Sequence, residues 1–432
     1  MTLTNDPAQR PCNMLMNQRS TQSQPSSLPS SSPKAPKISI LINDLSPSSV
    51  GRWGGGVRTF VLAEAIQSLG YDVELVGLNF GPEHPALTAL RKQWPLTVIS
   101  GDRYPHFFRS IRQTLQALDS DLVYAHKLKP SSFGIALLHK WLSRRPVLLD
   151  IDDWEMSWHQ GGQYRYQLRP RKLLKDLFGK DGELQHPNHP LYMSWVEQWV
   201  AQADAVTVNT SALQTRFGGT VIPSGKNMDA FDPSHYDPDA ARAEYNLSPY
   251  RVLMFPGAPR PYKGVEDILE AIKLLGWSDL RLVIVGGSPY DRYDQELQQK
   301  WGDSYLIQLP KQPPDKMPLV VSAAHVVVVP QRDSPTTRAQ FPLKLTDGMA
   351  MAKPILTTQV GDIPNILGDT GYIVEPQSPR SLAKGLESIF ADYGAAQRLG
   401  QRARERCLQN YSVTAIAQHL APLLRSHLPP HP

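Results

Sequence analysis

The sequence predicts an α/β protein with two doubly wound parallel sheets. Its 432 residues, 41% of them hydrophobic, are enough for two or three domains. Apolar runs such as DLVYAH (121–126), RVLMFPG (251–257) and HVVVVP (325–330) are continuous rather than alternating, as in strands that are buried on both faces. Helical segments separate these runs, which is the order typical of parallel sheets.

The first half predicts an N-terminal domain over 37–223. It opens with the apolar run KISILI, followed by a helix whose apolar residues recur with helical spacing between 57 and 69. Gly70 ends that helix, and the strand DVELVG follows. Two further strands are predicted at 146–152 and 204–209.

The remaining chain predicts four more segments. Residues 1–36 contain seven Ser, six Pro and no apolar period, so we expect a disordered tail. Residues 224–250, rich in Pro, Asp and Ser, predict a linker. A second α/β domain is expected over 251–410. Residues 411–432 predict a C-terminal helix and a tail, and whether this helix crosses back to the first domain is left open.

Composition excludes several classes of protein. The two cysteines, Cys12 and Cys407, cannot form a disulfide framework or a four-sulfur zinc site, which suits a reducing cytosol. No window approaches the roughly 18 continuous apolar residues of a spanning helix. We therefore expect a cytoplasmic protein, either soluble or peripheral at the inner face of the membrane.

The formal net charge of +5 is concentrated in one segment. Residues 163–180 hold six cations and one acid, and the rest of the chain sums to zero, so nucleic acid is not an expected partner. Within this segment, Leu173, Leu174, Leu177 and Phe178 share a helical face flanked by lysines. The pattern fits peripheral contact of 164–180 with an anionic membrane, or a lid packed on its own domain.

Ligands of such sheets bind at the carboxyl ends of the strands, so candidate site residues should follow strands. Gly54, Gly55 and Gly56 lie at the start of the first helix, where free amides hold phosphate, or where a flexible turn binds nothing. A nicotinamide site fits less well, because the order GRWGGG is not GxGxxG and no acidic residue follows the second strand.

The second candidate follows the strand that ends at Gly257. Arg260 and Lys263 stand there beside a helix start and would neutralise a diphosphate leaving group, unless they are ordinary surface cations. The third candidate is Asp347 in RAQFPLKLTDGMA, which either accepts hydrogen bonds from a ribose diol or is a plain capping acid.

Taken in order, these motifs resemble the family 4 glycosyltransferases. The order is GGV, a histidine at a strand end, IPSG, PGAPRPYKGVEDILEAI, VGG and KLTDGMAMAKPILTT, and it covers about 37–425. The resemblance implies the GT-B fold, with two Rossmann-like domains facing each other across a cleft. It also implies retaining transfer from a nucleotide-sugar without a required metal, with the donor in the C-terminal domain and the acceptor in the N-terminal domain.

The resemblance assigns roles by position. Gly55 and Gly56 match the phosphate-facing turn, and His126 matches the histidine that contacts the donor sugar. Arg260 and Lys263 match the diphosphate clamp beside Gly257, and Asp347 matches the ribose-binding glutamate of the signature E-seven residues-E.

Two positions depart from the family pattern. The first signature glutamate falls at Ala339, which has no polar group for the donor sugar, and the arginine expected directly after Gly257 is Ala258. A subgroup of the family has a stretch similar to RAQFPLKLTD, in which Arg338 and Lys344 would take up phosphate or sugar contacts. These departures concern the donor sugar more than the reaction.

The last candidate is the run Asp150-Ile151-Asp152-Asp153-Trp154 after a strand. Asp-Ile-Asp alone would fit the metal motif of the single-domain GT-A transferases. The two-domain organisation and the clamp cations argue against that alternative. The resemblance places Asp152, Asp153 and Trp154 on the acceptor side, and we expect Asp152 or Asp153 to orient or deprotonate the acceptor hydroxyl, although capping of the loop explains them nearly as well.

The sequence thus predicts a hexosyl transfer from a UDP- or GDP-sugar to a sugar or lipid-linked acceptor, in the synthesis of a polysaccharide or another glycoconjugate. No cofactor or metal is expected. The alternative is a catalytically silent protein that binds a sugar nucleotide and assists another glycosyltransferase, suggested by Ala339.

Overall fold

The computed structural model describes residues 35–46, 55–82, 85–180, 182–288, 291–302 and 304–428. They form a seven-stranded and a six-stranded sheet whose paired strands are all parallel. The predicted α/β class with two doubly wound sheets is therefore confirmed. The tail predicted over 1–36 lies outside the described residues, apart from its last two positions.

The first sheet has the order β3-β2-β1-β4-β5-β6-β7. Its strands are β1 (Lys37–Ile42), β2 (Asp72–Asn79), β3 (Leu96–Ser100), β4 (Leu122–His126), β5 (Val147–Ile151), β6 (Ala205–Val208) and β7 (Thr220–Val221). The helices of this half are α1 (Gly55–Ser68), α2 (Pro85–Gln93), α3 (Phe107–Ala117), α4 (Ile135–Ser143), α5 (Pro170–Phe178), α6 (Pro190–Glu197) and α7 (Ser211–Phe217). Every residue of β4 and β5 is buried, which explains why their sequences do not alternate.

The second sheet has the order β10-β9-β8-β11-β12-β13. Its strands are β8 (Arg251–Phe255), β9 (Leu280–Val285), β10 (Leu306–Leu309), β11 (Val326–Val329), β12 (Ile355–Thr358) and β13 (Tyr372–Val374). The helices that follow α7 are α8 (Pro238–Glu244), α9 (Val265–Leu275), α10 (Tyr293–Trp301), α11 (Met317–Ser322), α12 (Pro335–Arg338), α13 (Leu343–Ala350), α14 (Ile363–Leu367), α15 (Pro379–Ala391), α16 (Tyr393–Tyr411) and α17 (Val413–His427).

The segment 224–250 is more structured than a linker. It contains α8, and Met228, Ala241 and Leu247 are buried in the core of the second domain. Their burial removes apolar side chains from water and fixes most of this segment to that domain. The crossing itself is short, because only the residues around Lys226 run between the two sheets.

The C-terminal helix α17 returns to the first domain. Its residues Ile416, Leu420 and Leu424 are fully buried in the apolar core that also contains β1 and α1. At the second crossing, the amide of Lys226 donates to the carbonyl of Tyr411 at 2.7 Å. The chain therefore passes between the domains twice, at two adjacent points.

The two domains also touch across the cleft between the carboxyl ends of their strands. Ala339, at the end of α12, is only 4% exposed and packs into the apolar cluster of the first domain. The backbone amide of Ser211 donates to Asp362 at 2.7 Å, and the rings of Trp158 and Tyr262 lie 5.5 Å apart. Among the helices described, none is both long and apolar enough to cross a membrane.

Candidate active site

A cavity of about 350 Å³ lies in the cleft and is lined by both domains. From the first domain it is lined by Arg58, Lys127, Asp152, Asp153, Asn209 and Ser224. From the second domain its lining includes Ala258, Arg260, Tyr262, Lys263, Gln340 and Lys344. Parallel strands end at one edge of their sheet, so residues that are distant in sequence meet here.

Strand order explains the contribution of the first domain. Lys127 directly follows β4, Asp152 and Asp153 follow β5, and Asn209 follows β6. These three strands are neighbours in the sheet. The polar residues that end three sequence runs therefore lie in one wall of the cavity. These runs are VYAHK, LLDIDD and VTVN.

Two lysines of the second domain meet in the opposite wall. Lys263 and Lys344 both line the cavity, and neither forms an ion pair with a carboxylate among the described residues. Burial, together with the neighbouring Lys344 and Arg260, holds the pKa of Lys263 well below its usual value. Burial also lowers the pKa of Lys344. The neighbouring Lys344 thus disfavours the positive charge of Lys263, and among the described residues no carboxylate lies within ion-pair distance of either lysine.

Gly257 makes room for this pair. Its φ of 143° is unfavourable for L side chains, and a Cβ there would lie 3.0 Å from Lys344 Cε and 3.1 Å from Lys344 Nζ. Lys344 Nζ also lies 5.0 Å from the centroid of the Phe255 ring, with which it forms a cation–π contact. Glycine at the end of β8 thus lets the lysine reach the cavity.

Arg260 lies in the same wall as Lys263. Its Nη1 donates to Ser288 Oγ at 2.9 Å and lies 3.4 Å from Asp291 Oδ2, and its side chain is 12% exposed. The structure therefore brings together the two cations that the sequence assigned to the diphosphate clamp, and it adds Lys344.

Arg338 does not join this cluster. Its guanidinium makes two hydrogen bonds to Asp333, at 2.6 and 2.5 Å, and its side chain is 57% exposed. It is not part of the cavity lining. The pair with Asp333 holds Arg338 at the surface, and its contact with the donor remains a prediction.

Asp347 lies in the interior of α13 rather than at a helix start, and it forms a buried ion pair with Lys226. Lys226 lies where the chain first crosses between the domains. The ion pair therefore connects this crossing to α13, the helix that also carries Lys344. Asp347 is therefore neither a capping residue nor a solvent-facing acid, and its ribose role remains a prediction.

The backbone of Gly55 and Gly56 begins α1, whereas Gly54 lies outside the described residues. The helix start thus falls where the phosphate-binding prediction requires it. Arg58, in the first turn of α1, is 2% exposed and contributes to the cavity lining. This basic residue within the quoted motif was not assigned a role from the sequence.

A buried network connects Arg58 to His126. Arg58 binds Asp150 at two points, with Nε to Oδ2 at 2.8 Å and Nη2 to Oδ1 at 2.7 Å. Asp150 Oδ2 also lies 3.1 Å from His126 Nδ1, and Thr207 donates to Oδ1 at 2.8 Å. Burial would raise the pKa of Asp150, but Arg58 and His126 outweigh it and hold the pKa well below its usual value.

His126 itself is 1% exposed and lies behind the cavity wall, with Nε2 3.8 Å from Asp152 Oδ2. The structure brings this histidine next to the predicted acceptor-side acid but not into the cavity lining. Its contact with a donor sugar remains a prediction.

The acidic run after β5 is held by lysines. Lys127, whose φ is 74°, donates to Asp152 at 2.8 Å and to Glu155 at 3.1 Å, and Lys129 also pairs with Glu155. Among the described residues no cation forms an ion pair with Asp153, and burial and the nearby Glu155 outweigh the charge of Lys127 and raise its pKa to about 7. Asp153 is therefore the carboxyl group of this wall that is suited to exchange a proton near neutral pH.

Trp154 is not among the residues that line the cavity. The Arg216 guanidinium stacks on its ring, 3.9 Å from the centroid. Trp154 also packs against an apolar cluster of the first domain. Its acceptor-side role remains a prediction.

The metal motif suggested by Asp-Ile-Asp is not formed. Asp150 is paired with Arg58 and Asp152 with Lys127, so both carboxylates already have cations. Within the described ranges, no group of three or more His, Cys, Asp or Glu residues is arranged to hold a metal ion. The geometry gives the GT-A alternative no support.

Two family models match the chain. The model described as "Glycosyl transferase 4-like domain" matches residues 54–227, and the one described as "Glycosyl transferases group 1" matches 250–392. The D-inositol 3-phosphate glycosyltransferase of Corynebacterium glutamicum is 22% identical over 394 residues, covering 85% of this chain and 91% of that protein. The protein of the same name from Corynebacterium diphtheriae is 27% identical over 408 residues, covering 89% and 92%.

Solved structures show the same architecture. Anabaena HepE in complex with UDP-glucose superposes with a TM-score of 0.68 at 18% identity, covering 90% of this chain and 100% of that one. WaaG, a glycosyltransferase of lipopolysaccharide biosynthesis, superposes with a TM-score of 0.61 at 14% identity, covering 90% and 99%. With both domains matched by family models and the whole fold shared, the chain belongs to the group 1, family 4 glycosyltransferases and is a glycosyltransferase with the GT-B fold.

Proposed function

We propose that this enzyme transfers a hexose, with retention of configuration, from a UDP- or GDP-sugar to a hydroxyl group of a sugar or lipid-linked acceptor. The observation that carries the proposal is the pair Lys263 and Lys344, two half-buried lysines of the cavity wall that form no ion pair with a carboxylate among the described residues. A cavity with this charge is stabilised by an anion, and the diphosphate of a nucleotide-sugar supplies one.

The proposed chemistry follows from this charge. Breaking the glycosyl bond leaves negative charge on the departing diphosphate, and Lys263, Lys344 and Arg260 stand at one wall to neutralise it. Fixed charges directed at a developing anion are usually the largest single contribution to catalysis. The first turn of α1 adjoins the same cavity, since Arg58 lines it, and the N-terminus of a helix carries a partial positive charge.

The acceptor enters from the opposite wall. Asp153 lines the cavity there, and its raised pKa allows it to take the proton of the attacking hydroxyl group. Attack from the same face as the leaving group gives retention, the outcome that the family resemblance implies. No step of this scheme requires a metal ion, because the lysine and arginine side chains supply the positive charge that a metal ion would otherwise provide.

The ligands of one solved neighbour agree with a nucleotide-sugar donor. HepE was solved with UDP and with UDP-glucose. We favour UDP over GDP on this basis. Synthesis of a polysaccharide or another glycoconjugate is the proposed pathway class.

A screen of the purified protein against UDP- and GDP-sugars tests the proposal. We expect one donor to raise the melting temperature and to release nucleotide when acceptors are added, with little change after addition of a chelator. Binding without hydrolysis or transfer would instead indicate the silent partner. Loss of activity with the chelator would reject the metal-free scheme.

We also propose that α5 contacts an anionic membrane. Of its apolar face, Leu174 is 60% and Phe178 79% exposed, which supports membrane contact over a lid packed on its own domain. Lys175 and Lys180 flank this face and are exposed as well. Such a helix would hold the enzyme beside a lipid-linked acceptor at the inner face of the membrane.

A further inference from the structure

Trp158 connects the two walls of the cavity. It is the last residue of a single helical turn, Glu155–Trp158, that begins shortly after Asp153. Its indole Nε1 donates a hydrogen bond to Asp153 Oδ2 at 3.2 Å. The centroid of its ring lies 5.5 Å from that of Tyr262, which lines the cavity from the second domain. One indole thus contacts the proposed base of the first domain and an aromatic ring of the second.

The indole of Trp158 is only partly enclosed by its own domain. Trp158 is 42% exposed, although Met156 in the same turn is buried. The rings of Trp158 and Tyr262 are tilted by 55°, and their separation falls within the range of about 4.5–7 Å in which aromatic pairs attract each other. The contact with Tyr262 therefore restricts where the indole can lie.

The hydrogen bond from Trp158 acts on the charge of Asp153. A donor favours the ionised carboxylate over the neutral acid, because the negative charge strengthens the bond. Burial, the largest effect, and the neighbouring Glu155 raise the pKa of Asp153, and the bond from Trp158 opposes this rise. The charged groups that act on Asp153 come from both domains and are Glu155, Asp152, Lys127 and Lys263. Within the described ranges, Trp158 is the side chain that donates a hydrogen bond to Asp153.

We infer that Trp158 is a positioning residue for Asp153, and that Tyr262 keeps its indole in place from the second domain. The inference rests on the proposed function, in which Asp153 takes the proton of the acceptor hydroxyl group. It adds that this carboxyl group is fully prepared only while the domain that carries Lys263 lies against the first one. Trp158 acts through Asp153, since an indole N–H is a donor only and cannot take up the proton itself.

Three variants separate the two contacts. Trp158→Phe removes the N–H group and keeps a ring for Tyr262, whereas Tyr262→Ala removes the ring partner and keeps the N–H group. The third protein carries both substitutions. Trp195→Phe is the matched control, at a tryptophan of α6 that is 57% exposed and is not part of the cavity lining. We would follow the carboxyl carbons of labelled aspartate by NMR titration of the full-length protein, with Asp153→Asn to assign the signal.

We expect the pKa of Asp153 to rise by about 0.5–1 in Trp158→Phe, since a lost hydrogen bond to a charged group has an effect of that size. Tyr262→Ala should raise it by less, because the N–H group remains but is held less firmly. The doubly substituted protein should resemble Trp158→Phe, because Tyr262 acts through the same bond. The control should titrate as the wild type does.

The pH dependence of transfer gives a second readout. In Trp158→Phe, kcat/KM should fall about two- to fivefold at about pH 7 and recover by about pH 9, where the carboxyl group is ionised in both proteins. A merely structural defect would lower kcat/KM by a similar factor at every pH. Circular dichroism verifies that the variants fold.

An unchanged pKa of Asp153 in Trp158→Phe would overturn the inference, as would additive shifts in the doubly substituted protein. If Tyr262→Ala titrates as the wild type does, the contribution of the second domain is rejected. Should Trp158→Phe not fold, Tyr262→Ala decides by the same titration.

The titration needs no donor, so it separates this inference from the proposed function. A raised pKa in Trp158→Phe, without transfer from any UDP- or GDP-sugar, would keep the hydrogen bond and reject the proposed function. Transfer with an ascending limb that does not move in Trp158→Phe would keep the function and reject the role of Trp158.

Discussion

Arg58 binds both carboxylate oxygens of Asp150, at 2.8 and 2.7 Å, in the interior of the first domain. This pair joins the first turn of α1 to β5 and holds the carboxylate against His126. It also explains why Asp-Ile-Asp does not form a metal site, since its first carboxylate is already neutralised. Asp150, the first residue of this apparent catalytic motif, therefore has a structural role beside the cleft.

Removing Arg58 should destabilise the protein strongly. Arg58→Ala leaves the buried Asp150 without its main counter-charge, and breaking such a pair typically costs about 3–5 kcal/mol. The free energy of unfolding in urea, followed by tryptophan fluorescence, measures this loss. The control is Arg145→Ala, whose pair with Asp121 is about half exposed and should contribute less than about 1 kcal/mol. Equal losses in the two variants would contradict the structural role of the Arg58 pair.

Lys263→Ala should reduce turnover by about 10²–10³-fold, because it removes one of the charges that neutralise the leaving diphosphate. Lys344→Ala should have an effect of the same kind. The measurement is release of nucleotide from the donor identified in the screen, with circular dichroism to verify folding. Lys384→Ala, on the exposed side of α15, serves as the control. Unchanged turnover in Lys263→Ala would reject the clamp.

Activity should rise with pH through about 7. Burial and Glu155 raise the pKa of Asp153 to about 7, so this carboxyl group is protonated below that pH and cannot accept the proton of the acceptor. Between about pH 5 and about pH 9, kcat/KM of the wild type should therefore have an ascending limb, and Asp153→Asn should lack it. If the variant retains both the limb and full activity, Asp153 is not the base.

Restoring the missing signature glutamate should not help this enzyme. Ala339→Glu would place a carboxylate in the apolar contact between α12 and the first domain, where an unpaired charge is costly. We expect slower turnover and a larger radius of gyration by small-angle scattering. Ala240→Glu, at an exposed position of α8, is the control. Faster turnover in Ala339→Glu would show that the lost glutamate limits catalysis.

Membrane contact can be tested with vesicles. Replacing Leu174 and Phe178 by Ser should reduce co-sedimentation with vesicles of anionic phosphatidylglycerol, and added salt should weaken binding of the wild type, since about 1 kcal/mol per cation is electrostatic. Leu274→Ser, which alters an exposed leucine of the second domain, should bind as the wild type does. Equal binding to neutral and anionic vesicles would contradict the role of the basic flank.

Much of the fold could be predicted from the sequence. Strands buried on both faces have continuous apolar sequences, so β4, β5, β8, β9, β11 and β12 stand out directly. The edge strands β3, β7, β10 and β13 were not predicted, because they are short or only partly buried and their sequences resemble loops. The segment 224–250 was read as a linker because only a few of its residues, such as Ala241 and Leu247, enter the core.

For the site, the order of strands in the sequence identified Arg260, Lys263 and Asp153, the family resemblance added Lys344, and all four line the cavity. It could not show that Arg338 pairs with Asp333, or that Asn209 and Lys127 join the wall. Local order along the chain determines which side chains leave the ends of strands. Which of them meet, and which are neutralised by a neighbour, depends on strand order and on contacts between residues far apart in sequence, and only the tertiary structure sets those.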